Sequence, residues 1–136
     1  MLSVTVDDVR LFLHVLAATV WVGGQITLAG LVPVLRRAGA DVPKAVATQF
    51  ARIAWPTFAV LIVTGIWNIT ANSDAVHHND DYRNTLMAKL VIVVLSGVSA
   101  YVHQRASTKQ GKAIWGAATA LFALAALFFG LILSNG

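Results

Sequence analysis

The 136-residue chain is 57% apolar and only 12% charged, with a formal net charge of +4. Soluble domains average roughly 45–50% apolar and about 25% charged residues, so this composition excludes an ordinary water-soluble fold and makes lipid the expected solvent. It also excludes disorder, collagen-like repeats and coiled coils, and the lack of cysteine excludes disulfides, zinc–thiolate sites, iron–sulfur clusters and covalently attached c-type haem.

Four stretches are free of charge or nearly so: 11–35, 53–73, 84–104 (broken only by Lys89) and 113–135. A bilayer-spanning helix needs about 20 mostly apolar residues, and each stretch is long enough. The opening residues carry Asp7 and Asp8, which suit a helix cap and the positive end of its dipole. They do not resemble the basic start of a cleaved signal peptide, and the first stretch is too long for one. The expected helices cover about 8–36, 43–71, 83–105 and 112–135. Asp41-Val42-Pro43 reads as a cap followed by an early-turn proline, and Pro56 predicts a kink inside the second helix. Residues 71–82 form the one loop polar enough to reach far into water. Short connections predict an all-α antiparallel up-down four-helix bundle, a single transmembrane domain spanning 1–136. Small residues such as Ala17, Gly24, Gly97 and Gly116 allow the close helix contacts favoured in lipid.

Basic residues orient the chain. Arg36, Arg37, Lys44 and Arg52 surround the first connection, and Arg105, Lys109 and Lys112 the third. The opposite side has only Arg10 and Arg83, among Asp7, Asp8, Asp74, Asp80 and Asp81. Positive charge favours the cytoplasmic face, so both termini are expected on the extracytoplasmic side of a bacterial-type inner membrane.

Polar groups within the membrane are costly and carry the functional information. His14 lies about one turn into helix 1 and Lys89 about a turn and a half into helix 3, both entered from the outer side. Asn68 approaches that side from helix 2. His14, Ala18, Trp21 and Gln25 follow one face of helix 1, with small neighbours leaving room for a flat group and Trp21 as its floor. The plain alternatives are that His14 hydrogen-bonds between helices, Lys89 snorkels to the headgroups and Trp21 is packing. His77-His78, beside Asp74, Asp80 and Asp81, has donors for copper or another divalent cation, or is simply solvated. His103 lies 14 residues after Lys89, roughly 21 Å along a helix and near the inner face. Phosphate loops, hydrolase elbows and metalloprotease motifs are absent, and nothing beyond a basic inner rim supports nucleic-acid binding.

The segments Leu13-His14-Val15-Leu16-Ala17-Ala18 and Trp21-Val22-Gly23-Gly24 resemble the first helix of the copper-resistance D family. Thr64-Gly65-Ile66-Trp67 and Met87-Ala88-Lys89-Leu90-Val91 extend the resemblance over three helices. The related HemJ-type protoporphyrinogen oxidases pair a helix 1 histidine with a helix 3 lysine, matching His14 and Lys89. Their later helix 3 histidine is displaced by about a turn from His103, and Pro33 is displaced too, so oxidase activity stays open.

The resemblance implies haem binding or copper handling. A thioether-rich copper path would need soft ligands, and the chain has only Met1 and Met87. The leading expectation is a small membrane protein binding b-type haem through His14, with a redox or electron-transfer role, Trp21 and Asn68 beside the haem and propionates pairing with Lys89 or Arg83. The alternative is a copper uptake or resistance component binding copper through His14, His77 and His78. A third reading is a structural subunit in which His14 only packs. Besides the lipid bilayer, the partners left open are a redox or copper-handling protein and a second copy of the chain.

Overall fold

The computed structural model describes residues 1–136, and 90% of them are helical with no strand. In chain order the helices are α1 (Val6–Ala38), α2 (Val42–Ala71), the short α3 (Ser73–His78), α4 (Asp80–Arg105) and α5 (Lys109–Asn135). All except α3 are long and apolar enough to cross a membrane. Each begins one to three residues before the start expected from sequence, because the caps lie in the polar flanks rather than at the apolar boundary.

The caps explain those starts. Thr5, rather than Asp7 or Asp8, caps α1: its Oγ1 accepts from Asp8 N at 3.2 Å, and Asp8 Oδ2 accepts from Thr5 N at 2.8 Å. This reciprocal pair satisfies two donors that a helix start leaves open. Asn79 caps α4 through Tyr82 N at 3.0 Å, and Thr108 caps α5 through Gly111 N at 3.0 Å. The expected aqueous loop is itself largely helical, since α3 occupies half of it and α4 begins at Asp80. Helix α2 runs as one assigned helix through Pro56.

Residues Thr19–Gly23 of α1 are π-helical. A π turn bonds across five residues instead of four, so side chains beyond it are set back relative to a straight α-helix. The buried residues follow Arg10, Ala17, Trp21 and Val22, while Ala18 is only half-buried.

The chain forms two compact units, Met1–Ala71 and Asn72–Gly136. In the first, α1 packs on α2. The Phe50 ring of α2 lies against Gly24, where a Cβ would be 2.5 Å from it. Trp21 meets Phe58 with ring centroids 4.5 Å apart and Trp55 at 5.7 Å, edge to face. In the second unit, α4 packs on α5. Ser96, Gly97 and Ser99 of α4 are buried, as are Thr119, Ala123 and Ala126 of α5. Ser96 Oγ donates to Thr119 O at 3.2 Å. Small side chains of this kind let helices approach closely without an aqueous hydrophobic drive. The large apolar side chains, among them Phe12, Val63, Val94, Leu121 and Phe128, point outward. That inside-out distribution suits lipid contact and would leave a large apolar surface in water.

Candidate functional site

The polar face of the first unit is built from α1 and α2. His14 projects from α1, and its Nδ1 lies 2.8 Å from Thr64 Oγ1 on α2. Thr64 is 3% exposed, and its hydroxyl donates to Val60 O at 2.7 Å, with Leu61 O at 3.2 Å. A threonine hydroxyl has one proton. With that proton committed to the Val60 carbonyl, Thr64 Oγ1 accepts from His14 Nδ1–H. The imidazole is then in the tautomer whose Nε2 carries the lone pair, the form that ligates metals, oriented by a hydrogen bond at its other nitrogen. Gly65 lies beside the ring: a Cβ there would be 3.7 Å from His14 Cε1, in ordinary contact.

Other polar residues share this unit. Asn68 is half-buried one turn beyond Thr64 on the same face of α2. Gln25 has a buried Nε2 with no hydrogen-bond partner. Arg10, one turn before His14, is 6% exposed; its Nη1 donates to Asp7 Oδ1 at 2.7 Å, while Nε is buried without a partner. Trp21 is buried in the aromatic cluster with Trp55 and Phe58, the packing role weighed for it from sequence.

The remaining candidates belong to the second unit. Lys89 is half-buried in α4, and its Nζ lies over Gly130 of α5, where a Cβ would be 3.2 Å away. Arg83 is exposed and its Nη2 pairs with Asp80 Oδ1 at 2.6 Å, one helical turn away. His77 and His78 are exposed on α3, and His78 Nδ1 donates to Asp74 O at 3.0 Å, within its own short helix. His103 has a structural role: its Nδ1 donates to Lys112 O at 2.7 Å, and its ring packs on Gly116, where a Cβ would be 3.1 Å away. It ties the end of α4 to the start of α5.

No three histidine, aspartate or glutamate side chains come together in a group able to hold a metal ion. A multidentate copper site built from His77, His78 and the neighbouring aspartates therefore has no assembled donor set.

Sequence reasoning overlooked two residues. Thr64 stands in the sequence only within the segment Thr64-Gly65-Ile66-Trp67, and a threonine beside a glycine in a membrane helix can hydrogen-bond across to a neighbouring helix. In the sequence Arg10 is a boundary charge and an outer-side cation; its burial has no signature in a single sequence. No family model, curated protein or solved structure matches this chain.

Proposed function

We infer that the protein is a multi-pass membrane protein of four antiparallel crossings with both termini extracytoplasmic, holding a b-type haem through His14 in a redox role. The observation that carries the reading is the His14–Thr64 hydrogen bond, 2.8 Å long and backed by the Val60 carbonyl. It makes Nε2 the lone-pair nitrogen and restrains the ring, the arrangement of a metal-ligating histidine with its outer partner. The resemblance of the α1, α2 and α4 segments to the copper-resistance D family and its HemJ-type relatives supports the same choice.

Within this reading the residues divide the work. His14 ligates, Thr64 sets its tautomer, and the buried Ala17 with Gly65 keeps the flanks of the imidazole small. Bound haem would supply one-electron exchange at its iron. The orientation rests on seven cations flanking the α1–α2 and α4–α5 connections against Arg10 and Arg83 on the other side.

The same hydrogen bond would also serve helix packing alone, and that is the reading to be defeated. Absorption spectroscopy and metal analysis of the native protein purified in mild detergent separate the two. A Soret band in the wild type, lost in His14→Ala and kept in His103→Ala, supports haem ligation at His14. A colourless wild type, or full haem retention in His14→Ala, removes it. Stoichiometric copper without a Soret band would favour copper handling. A reporter fused at Gly136 that is active only in the cytoplasm would overturn the orientation.

A further inference from the structure

Of the two outer-side arginines, one is exposed and the other is not. Arg83 has a side chain 44% exposed and spends its guanidinium on Asp80. The Arg10 side chain is 7% exposed. Its only hydrogen bond runs from Nη1 to Asp7, whose own side chain is 71% exposed, and its Nε is buried with no partner. A guanidinium has five N–H donors, and leaving one buried and unpaired is costly. The Nε–Nη edge of arginine matches the two oxygens of a carboxylate, in a short, charge-assisted and directional pair.

Arg10 also stands in a telling place. It precedes His14 by four residues on α1, so the two lie on one face about 6 Å apart along the helix axis. The same helix buries Ala17 and Trp21 further in. A ligand with an apolar body at His14 and a carboxylate directed toward the start of α1 would meet both donors.

We propose that Arg10 is the anion-binding residue of this site, receiving a carboxylate of an apolar, ring-bodied ligand whose centre lies at His14. The proposal rests on the reading of His14 as a ligand-binding residue, but its recognition chemistry belongs to Arg10 and is testable without iron. It moves carboxylate recognition on the outer side from Arg83 to Arg10. It also makes Asp7 a competitor: the aspartate neutralises part of the guanidinium and must share it when the ligand binds.

The test uses the full-length protein in detergent micelles and two metal-free probes, protoporphyrin and its dimethyl ester, followed by tryptophan quenching. The wild type is expected to prefer the diacid by about tenfold, the discrimination that one charge-assisted pair supplies. Arg10→Gln should abolish that preference, Arg10→Lys should keep part of it, and Asp7→Asn should increase it. His14→Ala should retain the preference, because this contact does not involve the imidazole; iron ligation is read separately, by the Soret band with haem. Circular dichroism shows whether each variant keeps its helices, and Asp7→Asn leaves Arg10 in place if Arg10→Gln does not fold. An unchanged preference in Arg10→Gln overturns the proposal, as does a wild type that binds neither probe or both equally. Loss of co-purified anionic lipid from Arg10→Gln with the diacid preference intact would make Arg10 a lipid-phosphate seat and overturn it too.

Discussion

The two units of this chain are both helix pairs, yet they are held together by different chemistry. In Met1–Ala71 the partners are an imidazole and a hydroxyl, His14 with Thr64, and the rings of Trp21, Trp55 and Phe58. In Asn72–Gly136 they are small groups, with Ser96 1% and Ser99 2% exposed and Thr119, Ala123 and Ala126 facing inward. Each unit also has a histidine that bridges its helices. His103 donates to a backbone carbonyl near a helix end, while His14 donates to a side-chain hydroxyl inside a candidate membrane span. Small residues bring backbones together and leave little space for a ligand. The half-buried His14 ring is held at Nδ1 by Thr64. The second unit is joined by small-residue packing, and the first by a side-chain hydrogen bond and an aromatic cluster.

The largest stability effect is expected where the scaffold is tightest. Ser96→Leu puts a large side chain into a contact with almost no exposure and should cost about 3 kcal/mol. Reversible unfolding in mixed micelles measures it, and a loss below the experimental error would mean that α4 and α5 are not closely packed there. In the first unit Gly24→Ala places a methyl group against the Phe50 ring and should cost about 2 kcal/mol, less because an aromatic ring can give way. Pairing it with Phe50→Leu should recover part of the loss, and no recovery would remove that contact as the cause.

Thr64→Val sharpens the comparison at smaller cost. It deletes the acceptor of His14 Nδ1–H while keeping the shape, and polar contacts between membrane helices average about 0.6 kcal/mol. Stability should therefore barely move while ligand occupancy falls, and Thr64→Ser should restore occupancy. Equal occupancy in both variants would leave Thr64 with no role in the site. The smallest effect is at the start of α1. Thr5→Ala removes one half of the reciprocal cap and should cost about 0.5 kcal/mol, confined to the first turn, as hydrogen exchange at residues 6–8 would register.

Much of the fold was legible because lipid imposes a simple rule: about 20 apolar residues between charges make a crossing. The four helices followed from the positions of Arg10, Arg36, Arg52, Asp74, Lys112 and their neighbours. The caps were harder, since Thr5 lies outside the acidic pair that drew attention and Asp8 acts as its partner. The π turn at Thr19–Gly23 has no residue code that composition exposes. At the site, His14 stood out because an imidazole is rare in an apolar run. Thr64 did not, because membrane threonines usually bond their own helix, as Thr57 does to Ile53 O and Thr64 does to Val60 O. Only the packing of α1 on α2 gives Thr64 a partner outside its own helix. Arg10 was hidden for a related reason: a charge at the edge of an apolar stretch looks solvated until the structure shows it buried.

The central claim is that Thr64 holds His14 with its proton on Nδ1 and its lone pair on Nε2. Nitrogen-15 NMR of the ligand-free protein, labelled at histidine and assigned by comparison with His14→Ala, reads this directly. The account predicts a protonated Nδ1 and a pyridine-type Nε2 in the wild type, with mixed tautomers in Thr64→Val. A wild-type His14 carrying its proton on Nε2, unchanged by Thr64→Val, would contradict it.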